Sequence, residues 1–137
     1  MRLVVDANVL VAAFQKTSVT RELLLDDRLI LFAPDHLLVE TRKVLGKRAA
    51  TRRMEITPSQ FDGLFSVLTA PIRVVAEEEF ERWIDEALEL APHEEDAPYL
   101  ALALGIRAPI WSNDARLGDQ KKVRVYPTHE VVKALAR

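Results

Sequence analysis

Cysteine is absent from this 137-residue sequence, and its absence excludes several kinds of structure and chemistry at once. Disulfide frameworks, thiolate zinc sites and cysteine nucleophiles all require a thiol. Glycine is also scarce, and no two glycines lie close enough in sequence to form a phosphate-binding loop. The four are Gly46, Gly63, Gly105 and Gly118. Any reactive site must therefore use oxygen and nitrogen side chains.

Long apolar runs are missing as well. None approaches the roughly 18 residues that a membrane span requires, and Asp6 interrupts the first run before a signal-peptide core can form. These features predict a soluble protein of a reducing, cytoplasmic compartment. The composition, with 49% hydrophobic and 29% charged residues, is that of a globular protein. The length predicts a single domain over residues 1–137.

The net charge of −2 hides an uneven distribution along the chain. Six bases and no acid lie between Arg42 and Arg53, whereas ten acids and one base, Arg82, lie between Glu77 and Asp96. Such a contrast is typical of two solvated helix faces, and it also suits a protein that binds both phosphates and cations. The sequence leaves both interpretations open.

Short apolar runs alternate along the chain with amphipathic segments. The runs predict strands at residues 3–5, 29–32, 72–75, 109–111 and 123–126. The segments between them predict helices at residues 8–14, 20–26, 35–46, 57–68, 77–90, 96–105 and from about 128. This alternation predicts a three-layer α/β/α sandwich around a central, mainly parallel sheet.

Four acidic residues stand at positions where a parallel sheet collects its ligands. Asp6 ends the first predicted strand, Asp114 follows a later one, and Asp96 begins a helix that is apolar nearly all round. Glu40 lies about 40° from Val44 on the flank of a predicted buried stripe. That stripe consists of Leu37, Leu38, Thr41, Val44 and Leu45. Helix caps and turns explain Asp6, Asp96 and Asp114 taken singly, and a snorkelling side chain explains Glu40, but neither explains the shared placement.

Carboxylates gathered at one sheet edge repel one another unless a cation lies between them. A set of oxygen ligands without cysteine or a histidine cluster is the set that Mg²⁺ or Mn²⁺ prefers. Such ions activate water for the in-line hydrolysis of a phosphodiester. We therefore interpret Asp6, Glu40, Asp96 and Asp114 as the metal-binding and catalytic residues of a nuclease.

At four stretches the sequence resembles the PIN-domain ribonucleases, close to the VapC-type toxins of bacterial and archaeal toxin–antitoxin systems. The stretches are residues 3–10 (LVVDANVL), 38–40 (LVE), 96–103 (DAPYLALA) and 110–114 (IWSND). The resemblance implies a PIN-like sheet flanked by helices and a metal-dependent endoribonuclease that uses the same four acids. It also implies supporting roles for Asn8 and Ser112, with Asn113 as a further candidate. A homodimer and a cognate antitoxin are the protein partners that it implies.

The basic run predicts RNA contact through Arg42, Lys43, Lys47 and Arg48. Contact with an antitoxin or a second subunit, and a plain solvated helix, are the other interpretations of this run. The histidines (His36, His93 and His129) are scattered and form no metal-binding motif.

Two other function classes remain open. The first is a PIN-like subunit that binds RNA or protein without cleaving it. The second is a DNA nuclease of the related flap-cutting type, for whose additional helical clamp the chain is too short.

Overall fold

The computed structural model of the chain describes residues 1–15, 18–51 and 56–136. Within these ranges the strands form a single sheet. They are β1 (Arg2–Val5), β2 (Ile30–Pro34), β3 (Ile72–Val75), β4 (Ile110–Trp111) and β5 (Val125–Tyr126). The order is β3-β2-β1-β4-β5, and every neighbouring pair is parallel. The predicted α/β fold with a central parallel sheet is confirmed, with β1 in the middle.

The helices pack in two groups on either side of this sheet. They are α1 (Ala7–Ala12), α2 (Val19–Leu24), α3 (Asp35–Ala50), α4 (Pro58–Thr69), α5 (Ile84–Leu90), α6 (Ala97–Ile106) and α7 (Thr128–Leu135). The first four contact one another, and α5 contacts α6. Crossovers between parallel strands are right-handed. The connections from β1 to β2 and from β2 to β3 move along the sheet in one direction, and the connection from β3 to β4 moves back in the other. Helices α5 and α6 therefore cover the face that α1 to α4 leave open.

Helix α6 forms the centre of the hydrophobic core. It contacts β1, β2 and β4, and every side chain from Tyr99 to Ala103 is buried. This confirms the burial predicted from its apolar sequence. Because α6 begins at the carboxyl edge of the sheet, its first turn brings Asp96 to the same edge as the end of β1. No helix in the described ranges is both long enough and apolar enough to cross a membrane.

Two helix predictions are wrong for identifiable reasons. Gly46 does not end α3, which continues to Ala50, because α3 packs against α4 and Gly46 faces the ring of Phe61. This packing outweighs the cost of about 1 kcal/mol for a helical glycine. The helix predicted over residues 77–90 is instead two 3₁₀ turns (Glu77–Glu79 and Glu81–Trp83) followed by α5. Four glutamates among its first five residues repel one another at helical spacing.

Two predicted burials and one predicted cap are also wrong. Val44 is 48% exposed and Leu88 is 44% exposed, although both were expected to face inward. The buried face of α3 is rotated away from Val44 and consists of Leu37, Thr41, Leu45 and Ala49. Asp35 does not cap α3, because the cap position is Pro34 and no side chain bonds there. Glu40 is exposed and is not part of this buried face.

Candidate active site

Asp6 occupies the centre of the carboxyl edge, between the end of β1 and the start of α1. Its side chain is held by two short hydrogen bonds. Ala7 N donates to Asp6 Oδ1 at 2.7 Å, and Ser112 Oγ donates to Asp6 Oδ2 at 2.6 Å. Burial raises the pKa of the Asp6 carboxyl, and the charge of Asp114 adds to this effect, although both hydrogen bonds oppose it. The Asp6 carboxylate is thus held in place by hydrogen bonds, although its surroundings disfavour its charge.

Ser112 links the acidic residue of β1 to the acidic residue that follows β4. It is buried, and besides donating to Asp6 it accepts hydrogen bonds from Asp114 N at 3.1 Å and from Asn8 Nδ2 at 3.4 Å. The parallel pairing of Val5 with Trp111 brings these residues together across more than a hundred positions of sequence. The structure therefore places Asn8 and Ser112 beside the acids, as the supporting role predicted for them requires.

Removal of the Ser112 hydroxyl tests that role. For the ribonuclease that the sequence resemblance implies, we expect Ser112→Ala to lower the RNA cleavage rate by about 10- to 100-fold, the range that follows the loss of an outer partner of a metal ligand. The variant leaves Asp6 Oδ2 without its donor, so the pKa of Asp6 rises further and the protein loses about 1–3 kcal/mol of stability. Cleavage kinetics and urea unfolding measure the two effects. The controls are Ser112→Thr, which keeps the hydroxyl, and Ser66→Ala, at an exposed position of α4. An unchanged cleavage rate in Ser112→Ala would contradict the supporting role of Ser112.

Asp96 carries an oxygen that the protein leaves without a partner. It occupies the cap position of α6 but makes no capping hydrogen bond, so the capping interpretation does not hold for its side chain. Its Oδ2 is the buried side-chain polar atom of the described residues that has no hydrogen-bond partner. Burial raises the pKa of the Asp96 carboxyl, and the nearby charges of Asp6 and Asp114 raise it further. This environment favours a cation beside Asp96.

Asp114 is positioned by an arginine that reaches toward the loop of Asp96. Its Oδ1 accepts hydrogen bonds from Arg116 N at 3.0 Å and from Arg116 Nε at 3.5 Å. The same guanidinium donates from Nη1 to His93 Nε2 at 2.7 Å. His93 is three residues before Asp96, and it is exposed. Arg116 therefore bridges the segments that bear Asp114 and Asp96.

Glu40 lines a groove with a volume of about 480 Å³. Asp6 and Asp96 line this groove together with Glu40 and Glu95. Tyr99 also lines the groove, and the pKa of its hydroxyl responds to the charges of three of the predicted acids. Burial raises the pKa of the Tyr99 hydroxyl, and the charges of Asp6, Glu40 and Asp96 raise it further. Asp6, Glu40 and Asp96 thus line one groove, and Asp114 lies close enough to Asp6 and Asp96 for its charge to raise the pKa of both.

Two of the remaining predicted residues bond to groups other than the four acids. Asn113 is exposed, and its Oδ1 accepts a hydrogen bond from Thr128 N at 2.8 Å, at the start of α7. Arg42 pairs with Asp62 of α4 at 2.8 Å. Lys43, Lys47 and Arg48 are exposed along α3, and Arg52 and Arg53 lie outside the described residues.

Sequence reasoning did not identify Tyr99, His36 or Arg116 as parts of the site. Tyr99 follows Asp96 by three residues, a spacing that places both on one side of a helix. That signal was available in the sequence. The contact of Arg116 with His93 depends on two separate loops, and no sequence pattern indicates it.

The residues present fit a hydrated Mg²⁺ or Mn²⁺ ion. In the part of the chain that the structure describes, no three acidic, histidine or cysteine side chains are close enough to hold a metal together. Magnesium, however, keeps several of its waters and uses one or two carboxylates. The donors are all oxygens, and the Asp96 Oδ2 atom is desolvated and without a partner. Asp6 and Asp96 would hold such an ion, with Asp114 and Glu40 nearby.

Comparison with known proteins identifies the family. The family model of the PIN domain matches residues 4–125, a range that includes all four acids. No curated protein matches the sequence. Three solved chains match, among them the crystal structure of PAE2754 from Pyrobaculum aerophilum, with a TM-score of 0.71 and 15% identity over 99% of this chain and 90% of that one. This likeness supports the fold, and the chain belongs to the PIN-domain family.

Proposed function

We propose that the protein is a Mg²⁺- or Mn²⁺-dependent endoribonuclease, with Asp6, Glu40, Asp96 and Asp114 as its metal-binding and catalytic residues. The observation that carries the proposal is Oδ2 of Asp96, a buried oxygen without a hydrogen-bond partner in a carboxyl group whose pKa is raised by burial and by the charges of Asp6 and Asp114. Membership of a family with a nuclease-type fold supports it. When bound, the metal would lower the pKa of a coordinated water and stabilise charge on the phosphate oxygens.

The four carboxylates have different surroundings, and we assign them different tasks. Asp6 is fixed by Ala7 and Ser112, so it suits a ligand whose position must not change. Asp96 offers an unpartnered oxygen to the ion. Glu40 is exposed and lines the groove, where it can orient the attacking water or accept its proton.

The substrate needs a positive approach, because an acidic groove repels phosphates. At about 100° per residue, Lys47 and Lys43 lie about 20° and 60° from Glu40 around α3, whereas Arg42 lies about 160° away. The pairing of Arg42 with Asp62 agrees with this placement on the α4 side. We therefore propose RNA contact through Lys43, Lys47 and Arg48, and a structural role for Arg42.

This division of the basic residues predicts a difference in salt dependence. The double variant Lys43→Gln/Lys47→Gln should bind single-stranded RNA more weakly and lower the slope of log affinity against log salt by about 1.4, or about 0.7 for each lost phosphate contact. Fluorescence anisotropy over a salt series measures the slope. Arg42→Gln on the same helix is the matched control and should leave the slope unchanged. Equal slopes in all three proteins would contradict the proposed approach.

Cleavage of matched RNA and DNA oligonucleotides tests the proposed function directly. We expect the protein to cut RNA with Mg²⁺ or Mn²⁺ present, to stop when a chelator is added and to leave DNA of the same sequence intact. A flap-cutting DNA nuclease would show the opposite preference. Absence of any RNA cleavage with either metal would overturn the proposal.

A second candidate function is a PIN-like subunit that binds RNA or protein without cleaving it. The observation that favours it is the absence, among the described residues, of three side chains close enough to bind one metal ion directly. A subunit that only binds has no reason to keep three carboxylates that repel one another. The presence of Asp6, Asp96 and Asp114 together therefore favours the nuclease. The two candidates differ in cleavage, not in binding.

We further propose that the nuclease is the VapC-type toxin of a toxin–antitoxin pair, acts in the cytoplasm as a homodimer and is silenced by its antitoxin. The resemblance of four sequence stretches supports this proposal. Val39 and Val44, which are 57% and 48% exposed on α3 near the groove, offer apolar surface for a protein partner. Growth arrest on expression, with relief by a protein encoded next to the gene, would support the toxin role. Normal growth would contradict it.

A further inference from the structure

The groove that the acids line also has aromatic and apolar side chains that their chemistry does not use. His36 and Tyr99 are its aromatic residues, with ring centroids 6.5 Å apart and an interplanar angle of 57°. Tyr99 is buried, whereas His36 is partly exposed. The apolar side chains of the lining are those of Ala7, Val11, Leu37, Val44 and Pro98. Carboxylates and an aromatic and apolar surface thus line the same groove.

The shape and chemistry of the groove restrict what it can hold. Its volume of about 480 Å³ lies in the range of pockets for small ligands. A free anion would be repelled by Asp6, Glu40 and Asp96, and an aliphatic chain would gain nothing from the carboxylates. A flat and uncharged ring that is joined to a phosphate can use both parts of the lining, provided that the phosphate lies at the metal site.

We infer that this groove is a subsite for one unpaired nucleobase of the RNA, which packs against His36 while the adjoining phosphate lies at the carboxylates. The inference rests on the proposed function for the source of the nucleotide. Bases in a duplex are stacked on both faces, whereas unpaired bases are free to pack on aromatic side chains. The subsite therefore selects single-stranded or looped RNA.

Tyr99 adds a polar contact to the subsite. Tyr99 lines the groove, and a phenol is protonated at neutral pH and can donate a hydrogen bond. No hydrogen bond of this hydroxyl is present among the described residues. A nucleobase carbonyl oxygen or ring nitrogen is a neutral acceptor for a hydrogen bond from the Tyr99 hydroxyl. Tyr99 thus acts as a positioning residue for the base.

The test uses a single-stranded RNA oligonucleotide and a series in which each nucleotide in turn is made abasic. Binding is measured by anisotropy with the Asp96→Asn protein, which is not expected to cut the RNA, with and without His36→Ala. We expect one abasic position to weaken binding about tenfold, the size of a lost base–aromatic stack. His36→Ala should weaken binding of the intact RNA by a similar factor and abolish the abasic effect, because the two changes remove the same contact.

Three controls separate stacking from folding and from the proposed function. His36→Phe keeps a ring and should retain the abasic effect, whereas His129→Ala, at an exposed position of α7, should change neither measurement. An abasic effect that persists in His36→Ala, or that is absent at every position, would overturn the inference, as expected if the groove receives a protein segment. Wild-type cleavage of the intact RNA reports on the proposed function separately. A protein that cuts RNA without any abasic effect keeps the function and loses the subsite, and one that neither binds nor cuts RNA loses both.

Discussion

Asp96→Asn is expected to abolish RNA cleavage while the protein stays folded. Asparagine keeps the shape of the side chain and removes the charge that a metal ion requires. The rate should fall by at least about 100-fold, since changes to outer partners of metal ligands already cost about 10- to 100-fold. A single-turnover assay with Mg²⁺ measures the loss. Glu94→Gln, which changes an exposed neighbour outside the groove, is the matched control and should retain activity.

The same substitution should make the protein more stable near neutral pH. The pKa of Asp96 is raised in the folded state by burial and by Asp6 and Asp114, so the ionised carboxylate opposes folding. Wild-type stability should therefore rise as the pH falls from 7 through the folded pKa of this group toward its ordinary value. Asp96→Asn should already be stabilised at pH 7, and its stability should change less with pH. Thermal unfolding of both proteins at several pH values measures this effect.

Two outcomes would contradict this account of Asp96. One is full activity in both Asp96→Asn and Asp6→Asn, which would place the reaction elsewhere. The other is a large loss of stability in Asp96→Asn, which would show that the carboxylate makes a structural contact. We expect Asp96→Asn to be inactive and stable, because a functional site is often maintained at a cost in stability.

Trp111→Ala should produce the largest loss of stability and should also damage the site. Trp111 is fully buried, and its Nε1 donates to Thr128 Oγ1 at 3.1 Å. Truncation of a large core aromatic costs about 3–5 kcal/mol, a large part of the 5–15 kcal/mol that is typical of whole domains. The backbone carbonyl of Trp111 accepts from Asp6 N at 3.1 Å, so a disturbed β4 also shifts Asp6. Urea unfolding and cleavage kinetics measure the two losses.

Two further variants separate the contributions of Trp111. Trp111→Phe keeps an aromatic ring but loses the bond to Thr128, so its loss of stability should be clearly smaller. Trp83→Ala removes the same side chain from a half-buried position near α5 and should leave cleavage nearly unchanged. A Trp111→Ala protein with wild-type stability would contradict the position of β4 in the core.

The sheet and the placement of three acids were predictable because they depend on local patterns. Buried parallel strands have continuous apolar sequences, and the end of such a run marks the carboxyl edge of the sheet. Asp6, Asp96 and Asp114 follow from that rule together with the apolar sequence of α6. The burial of Tyr99 to Ala103 confirms the reasoning for α6.

The features that sequence reasoning missed depend on contacts between distant segments. Packing of α3 on α4 carries the helix past Gly46 and rotates Val44 into solvent, and neither effect is encoded within α3 itself. The hydrogen bond from Ser112 to Asp6 joins residues 106 positions apart and requires the register of β1 with β4. The contact between His36 and Tyr99 in the groove likewise depends on the packing of α3 near α6.

A crystal of the protein soaked in Mn²⁺, with anomalous scattering collected at the manganese edge, tests the central claim most directly. The account predicts at least one manganese peak at the carboxyl edge of the sheet, with oxygens of Asp6 and Asp96 as protein ligands. The peak should disappear in a soaked crystal of Asp96→Asn that has the same fold. Carboxylates that bind no ion at saturating Mn²⁺, or an ion bound only at another place on the molecule, would contradict it.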